Sequence, residues 1–478
     1  MNTDEHRYTR MNTDIHNMHH FRPAPPYFAG DCMPFYHDGV YHLYYLLDEN
    51  HHQGLGGLGG HQWAHASTTD LIHWQHHPLA LAIEADWEAS ICTGSTFWHA
   101  GRYYAFYATR KPDWTQHLCM AVSADGIHFV KSAGNPFLSA PPGYSPFDLR
   151  DPFVFADGAG GFGMLVTSRL DPYPLDGRGG CLLLLRSADL QTWTVEGPLL
   201  IPGGGPSYLS VPECPDTFAW NGWHYLIFSL GLQTHYCMAR SPFGPWEKPA
   251  VDLLDSPLAA VMKTAPFHGS RRIGAAFVGT RQGDRDAAPV QWAGNIIFRE
   301  LVQRADGTLG TRFVPEMTSS LLPGGLTALT LDRLTDGVSG DGRQIRLFAP
   351  ESLAAAALDG LPRDFYLKCR VAPRAGRARF GLGLRGSGRF GGSHYELAFE
   401  PALRRASLAD QVIFEVTPLA APFDLEVICR GDILEACIAG ERCIVNRLPE
   451  QQGERLFLFC ECGEVEYEIL RAMGIPAS

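Results

Sequence analysis

Three carboxylates stand in matching surroundings and are placed to act together. They are Asp31 in Gly30-Asp31-Cys32-Met33-Pro34-Phe35, Asp151 in Leu149-Arg150-Asp151-Pro152-Phe153, and Glu213 in Val211-Pro212-Glu213-Cys214-Pro215. A charged side chain at the head of an apolar run is costly unless a site uses it. Two carboxylates flanking a glycosidic bond are the minimum for its cleavage. In the retaining form one is the nucleophile, the other the general acid/base, and they stand about 5–5.5 Å apart. A third carboxylate stabilises positive charge in the transition state. Crowded carboxylates push their pKa values apart, so that one stays protonated as the acid. Arg150, beside Asp151, favours the ionised form of that residue. Taken singly, each acid reads as an ordinary turn or strand-end residue. It is the matching placement that points to one pocket. Asp148 and Asp216, close by, read as turn residues.

The elements that would position these acids are legible as repeats. Each acid is followed by a turn glycine (Gly39, Gly158 or Gly222) and then a second apolar run. Two more hairpin signals centre on Gly101 and Gly269. Asp-Gly and Asn-Gly between aromatic and β-branched runs mark hairpins. A second motif, Ser-x-Asp with an aromatic residue further on, recurs at Asp70, Asp125 and Asp189, with a degenerate copy at Ser241–Trp246. Five repeats of about four strands predict an all-β chain with a five-bladed β-propeller over residues 21–315. The first strand of each propeller blade lines the axis, so the three acids should face one funnel. The corresponding positions of blades 2 and 5 hold Thr93-Gly94-Ser95 and Met262-Lys263-Thr264. Residues 1–20 read as a flexible tail whose His16, His19 and His20 are solvated rather than metal-bound. Residues 316–340 read as a linker, and the alternating strands of 341–478 as a β-sandwich.

The motifs resemble glycoside hydrolase family 32, the invertase, inulinase and levanase family. Arg150-Asp151-Pro152 matches its Arg-Asp-Pro motif and Glu213-Cys214 its Glu-Cys motif. Gln62-Trp63-Ala64-His65-Ala66 is similar to its Trp-Gly-His segment, and Thr93-Gly94-Ser95 to its Phe-Ser-Gly-Ser stretch. The resemblance implies Asp31 as nucleophile, Glu213 as general acid/base and Asp151 as transition-state stabiliser. It places Arg150, Trp63, Ser95, His61 and Cys214 around the sugar. It implies a retaining enzyme that removes terminal β-fructofuranosyl units from small fructosides or fructo-oligosaccharides. Fructosyl transfer, another furanosidase activity and a non-catalytic sugar-binding propeller are the alternatives. The departures are informative. The family's usual Trp-x-Asn-Asp-Pro-Asn-Gly is here Tyr27-Phe28-Ala29-Gly30-Asp31-Cys32-Met33-Pro34, so both asparagines are gone. The glutamine that usually follows its first hairpin is Leu46. Losing such partners changes which sugar fits.

The bulk properties set the outer limits. The 478 residues are 45% hydrophobic and 19% charged with a formal net charge of −12, which fits folded domains. No basic block or long apolar run is present, so neither nucleic acid nor membrane is an expected partner. The expected partner is a small carbohydrate, with a homo-oligomer as an option. Twelve scattered cysteines without a CxxC pair, and no signal-like N-terminus, predict reduced thiols in a cytoplasmic protein, with no metal or cofactor. The His/Gly-rich stretch His51–His61 reads as a mobile, substrate-contacting loop at the funnel mouth.

Overall fold

The structure, a computed structural model, describes residues 15–16, 19–49, 60–173, 178–200, 211–321, 327–374 and 378–475. The loop expected to touch substrate falls mainly outside these residues; its last two members, Gly60 and His61, fall inside. Strands dominate, and they group as the repeats predict. Blade 1 is built from Tyr27–His37, Val40–Glu49, Gln62–Thr68 and His73–His76. Blade 2 comprises Ser90–His99, Arg102–Arg110, Gln116–Ser123 and Val130–Lys131, and blade 3 Tyr144–Ala156, Phe162–Leu170, Gly180–Ser187 and Thr194–Leu200. Blade 4 has three full strands, Glu213–Trp220, Trp223–Leu230 and Gln233–Ala239, and two isolated bridges, His235 to Leu253 and Met238 to Glu247, replace the fourth. Its degenerate Ser-x-Asp copy fits that loss. Blade 5 contains Ala260–Phe267, Arg271–Arg281 and Val290–Gln303. The five inner strands touch in a closed ring, blade 5 returning to blade 1, where Gly294 pairs with Ala29.

The predicted turns do the joining. Gly39, Gly101, Gly158, Gly222 and Gly269 all have positive φ, which suits glycine at a tight hairpin. The Ser-x-Asp motif is one repeated device. In blade 2 the Ser123 hydroxyl donates to Asp125 (2.8 Å), whose carboxylate accepts from the amides of Ile127 and His128. Thr68/Asp70 and Ser187/Asp189 make the same bonds in blades 1 and 3.

The C-terminal domain is a β-sandwich whose core runs from Val338 to Ala472. The long strand Arg455–Gly474 serves both halves, pairing with Arg379–Ser387 through its first part and Phe365–Pro373 through its second. Two boundaries differ from expectation. Thr330–Arg333 and Val338–Gly340 already pair with Gln344–Asp359, so the sandwich sheet begins inside the predicted linker. At the other end His19 and His20 are not solvated tail. His20 pairs with Ile297, and both rings pack on Glu435 of the sandwich, where burial rewards order. All twelve cysteines are free thiols, and no described helix is long and apolar enough to cross a membrane.

Candidate active site

Every inner strand carries a register shift at the same height. The shifts fall at Ala29/Cys32, Ile91/Gly94, Arg150/Phe153, Glu213/Asp216 and Ala260/Lys263. Such bulges re-aim side chains out of the alternating pattern. Asp151 and Cys214 sit in them with φ of 55° and 51°, uncommon values for residues with a Cβ. Three of the five shifts hold or adjoin the acids singled out above, so Asp31, Asp151 and Glu213 converge on one end of the axis.

Cys214 connects the two aspartates. Its thiol lies 3.4 Å from Asp31 Oδ2 and its amide donates to Asp151 Oδ2 at 3.1 Å. Asp31 Oδ2 also accepts from Thr93 Oγ1 (2.7 Å), and Oδ1 from Trp292 Nε1 (3.3 Å). Burial pushes the Asp31 carboxyl above its usual range, with Asp151 adding to the rise; the bonds from Thr93, Cys214 and Trp292 pull it back. Asp151 is buried and accepts from Thr167 Oγ1 at 2.8 Å. Glu213 takes both Nε (3.1 Å) and Nη2 (2.8 Å) of Arg150 on one oxygen, and the same guanidinium stands 3.8 Å from Asp151. Burial raises the Glu213 carboxyl as well. Arg150 opposes that rise, whereas Asp151 and Asp31 reinforce it. Burial disfavours the Arg150 charge, yet Glu213 and Asp151 overcome this and hold its pKa above the ordinary value.

The other expected site residues divide. Arg150 and Cys214 are in the carboxylate network. The His61 ring packs, tilted by 39°, against the Trp292 ring (4.5 Å between centroids) and so lies beside the Asp31 pocket. Trp63 is fully buried in the core between blades 1 and 2, its indole donating to Cys92 O at 2.8 Å. Ser95 is buried too: its hydroxyl donates to Pro152 O (2.9 Å) and accepts from Val154 N (3.1 Å), stitching blade 2 to blade 3. Trp63 is thus a core side chain, and the Ser95 hydroxyl engages the blade 3 backbone as both donor and acceptor. Asp148 and Asp216 are not turn residues. Asp148 holds Arg150 (3.0 Å) and Arg169 (2.9 Å), and the buried Asp216 binds Thr264 across to blade 5. Three further residues belong here: Thr93 and Lys263, at the repeat positions already noted as corresponding to the acids, and Trp292, which no motif marks. Buried Lys263 donates to Gly94 O at 2.8 Å and tightens the axis.

Comparison with known proteins gives the family and the fold. The family description "Glycosyl hydrolases family 32 N-terminal domain" matches residues 20–305. The chain belongs to glycosyl hydrolase family 32. It is 34% identical to a sucrose-6-phosphate hydrolase of Escherichia coli over 224 residues, 44% of this chain and 43% of that protein. It is 28% identical to a raffinose invertase of Escherichia coli over 315 residues, 59% of this chain and 61% of the relative. The matched stretches thus span less than two thirds of these relatives. Among solved structures, fructan 1-exohydrolase IIa from Cichorium intybus superposes with a TM-score of 0.69 at 17% identity, covering 95% of this chain and 97% of that one. Sucrose-6-phosphate hydrolase from Lactobacillus gasseri gives 0.70 at 17%, covering 98% and 95%. These two likenesses establish the fold: a five-bladed propeller followed by a sandwich.

Proposed function

We propose that this family 32 chain is a retaining glycoside hydrolase that releases terminal β-fructofuranosyl units from small fructosides. The observation that carries the reading is the continuous network Asp31–Cys214–Asp151–Arg150–Glu213 at the funnel axis. Asp31 attacks the anomeric carbon, and its donors Thr93, Cys214 and Trp292 favour the ionised nucleophile. Glu213, raised by burial and by two neighbouring acids, carries the proton to the leaving oxygen. Ester formation removes the negative charge of Asp31. One cause of the raised Glu213 pKa disappears with it, so the same carboxylate then takes the proton of an incoming water. Asp151, fixed by Thr167 and Cys214, holds sugar hydroxyls and offsets charge on the oxocarbenium-like transition state. The names of the two Escherichia coli relatives support sucrose-type fructosides as the substrate class.

The test is a digest of sucrose, raffinose and short fructo-oligosaccharides, with the anomer of newly released fructose followed by proton NMR. The expected first product is free β-fructofuranose, with Asp31→Ala, Asp151→Ala and Glu213→Ala each slower by several orders of magnitude. Inverted product, or near-full activity of Glu213→Ala, overturns the reading. Longer or cyclic products would assign the chain to fructosyl transfer instead.

A further inference from the structure

In blades 1, 3 and 4 the catalytic acids lie toward the end of the blade where the second strand finishes, beside the pairs Ala29–Leu47, Arg150–Thr167 and Glu213–Ser229. The second strand of a blade returns to that end, so the connection between second and third strands stands at the funnel mouth. In blade 2 this connection is Lys111–Thr115. Trp114 at its tip is 64% exposed, more than any other described tryptophan. Its φ of 71° is costly for a bulky residue, yet the turn enforces it. Trp114 N donates to Lys111 O and Lys111 N to Thr115 O, both at 2.9 Å, and Asp113 accepts from Thr115 N at 3.0 Å. The Arg110 guanidinium lies 4.3 Å from the indole centroid and backs one of its faces. Arg110 forms no ion pair among the described residues.

Two links tie this turn to the reacting groups. Gln116, two residues beyond Trp114, accepts from Leu149 N (3.0 Å) and from Arg150 Nη1 (3.4 Å), and Arg150 holds Glu213. Arg110 and Arg150 also act together on one thiol: burial pushes Cys92 up to about 11, and both guanidiniums pull against that. Arg110 therefore stands on the same wall of the funnel as the catalytic network.

We propose that Trp114 and Arg110 form a sugar-binding subsite for the second ring of the leaving group. The inference rests on Glu213 being the acid on the leaving-group side. The open indole face covers the C–H face of a pyranose, and the guanidinium donates to its hydroxyls. Arg150 and Gln116 stand between Glu213 and Trp114, so the ring bonded to the scissile oxygen lies over them and the next ring reaches the indole. The favoured substrates are fructosides whose leaving group has two or more sugar rings.

Sucrose and raffinose separate the effects, because both present the same fructosyl–glucose bond and raffinose adds one further ring. In Trp114→Ala, kcat/KM for raffinose should fall about tenfold through KM, as loss of one aromatic contact predicts. The value for sucrose should stay within about twofold, and Trp114→Phe should restore most of the raffinose value. An unchanged raffinose-to-sucrose ratio overturns the subsite while leaving the fructosidase reading intact. If the wild type cleaves neither sugar, that reading fails by itself. Calorimetric titration of raffinose into the wild type and Trp114→Ala then decides the subsite, and absent or equal binding overturns it.

Discussion

At the scale of the residue, the nucleophile is framed by unusual partners. The family's flanking asparagines are missing around Asp31, and the structure shows what occupies the place of the first. A Cβ on Gly30 would lie 2.2 Å from the Trp292 ring, so the indole fills the room a side chain at position 30 would need. That indole donates to Asp31, as does Thr93 from the neighbouring blade. Glycine at 30 is thus required by close approach of blade 5. The Thr93 bond lowers the Asp31 pKa against burial, which gives a signed prediction. Thr93→Val removes that bond, so the Asp31 pKa rises further. A nucleophile must be ionised, and activity is lost as pH falls through its pKa; the acidic limb of the kcat/KM profile should therefore move to higher pH, by about one unit for a bond to a charged acceptor. A limb that stays in place would remove Asp31 as the group that sets it. The three acids were legible because the repeats align them. Trp292 was not: 261 residues separate it from Asp31, and only ring closure between blades 5 and 1 brings them together.

At the scale of the element, the decisive devices are the five bulges and the bonds between blades. Hairpin glycines and Ser-x-Asp turns gave blade number and order, since each is a local signal with a local cause. A bulge has no comparable signature, and it decides which way a strand residue points. Ser95 illustrates the difference. Two residues beyond Thr93 in the same strand, it looks like a sugar contact in sequence, but its hydroxyl both donates to and accepts from the blade 3 backbone. Ser95→Ala leaves the buried Val154 amide without its partner and should cost about 1–3 kcal/mol of stability. Thermal unfolding should show that loss, while KM for a fructoside stays within about twofold. A large rise in KM at unchanged stability would instead place Ser95 in the sugar site.

At the scale of the whole molecule, propeller and sandwich are held together by buried charge. Arg299 lies between Asp255 (3.2 Å) and Glu435 (2.6 Å), all three inaccessible to solvent. Burial disfavours the Glu435 carboxylate, but Arg299 and His19 hold it well below the usual range. His19 and His20 close on its other oxygen at 2.7 and 2.8 Å. These ligand types could attract a metal ion, but the guanidinium already supplies the cation. Nothing local announced this lock, because a tail histidine and Glu435 are more than 400 residues apart. Histidines are also buried elsewhere. His42, His65 and His77 stack through blade 1, with His42 Nδ1 3.0 Å from His65 Nε2. Burial lowers His20, His42 and His77 to about 4, and His65 well below its ordinary value. Well above pH 6.5 these rings are neutral in both folded and unfolded chains and do not affect the balance. As pH falls from about 6.5 toward 4, the unfolded chain takes up protons that the folded one refuses, so stability declines through that window. Asp31 and Glu213, raised by burial, work in the opposite direction, whereas His76, His117 and His394, also lowered by burial, and Glu435, held low by Arg299, add to the decline. The melting temperature should therefore drop by about 10 °C or more between pH 7 and pH 4.5. His77→Gln keeps a side chain able to bond Ser67 and removes one titrating group, so it should flatten the slope even where it lowers the plateau. A melting temperature that holds constant across this range, or a slope untouched by His77→Gln, would show that the histidine stack is not what makes the fold sensitive to acid.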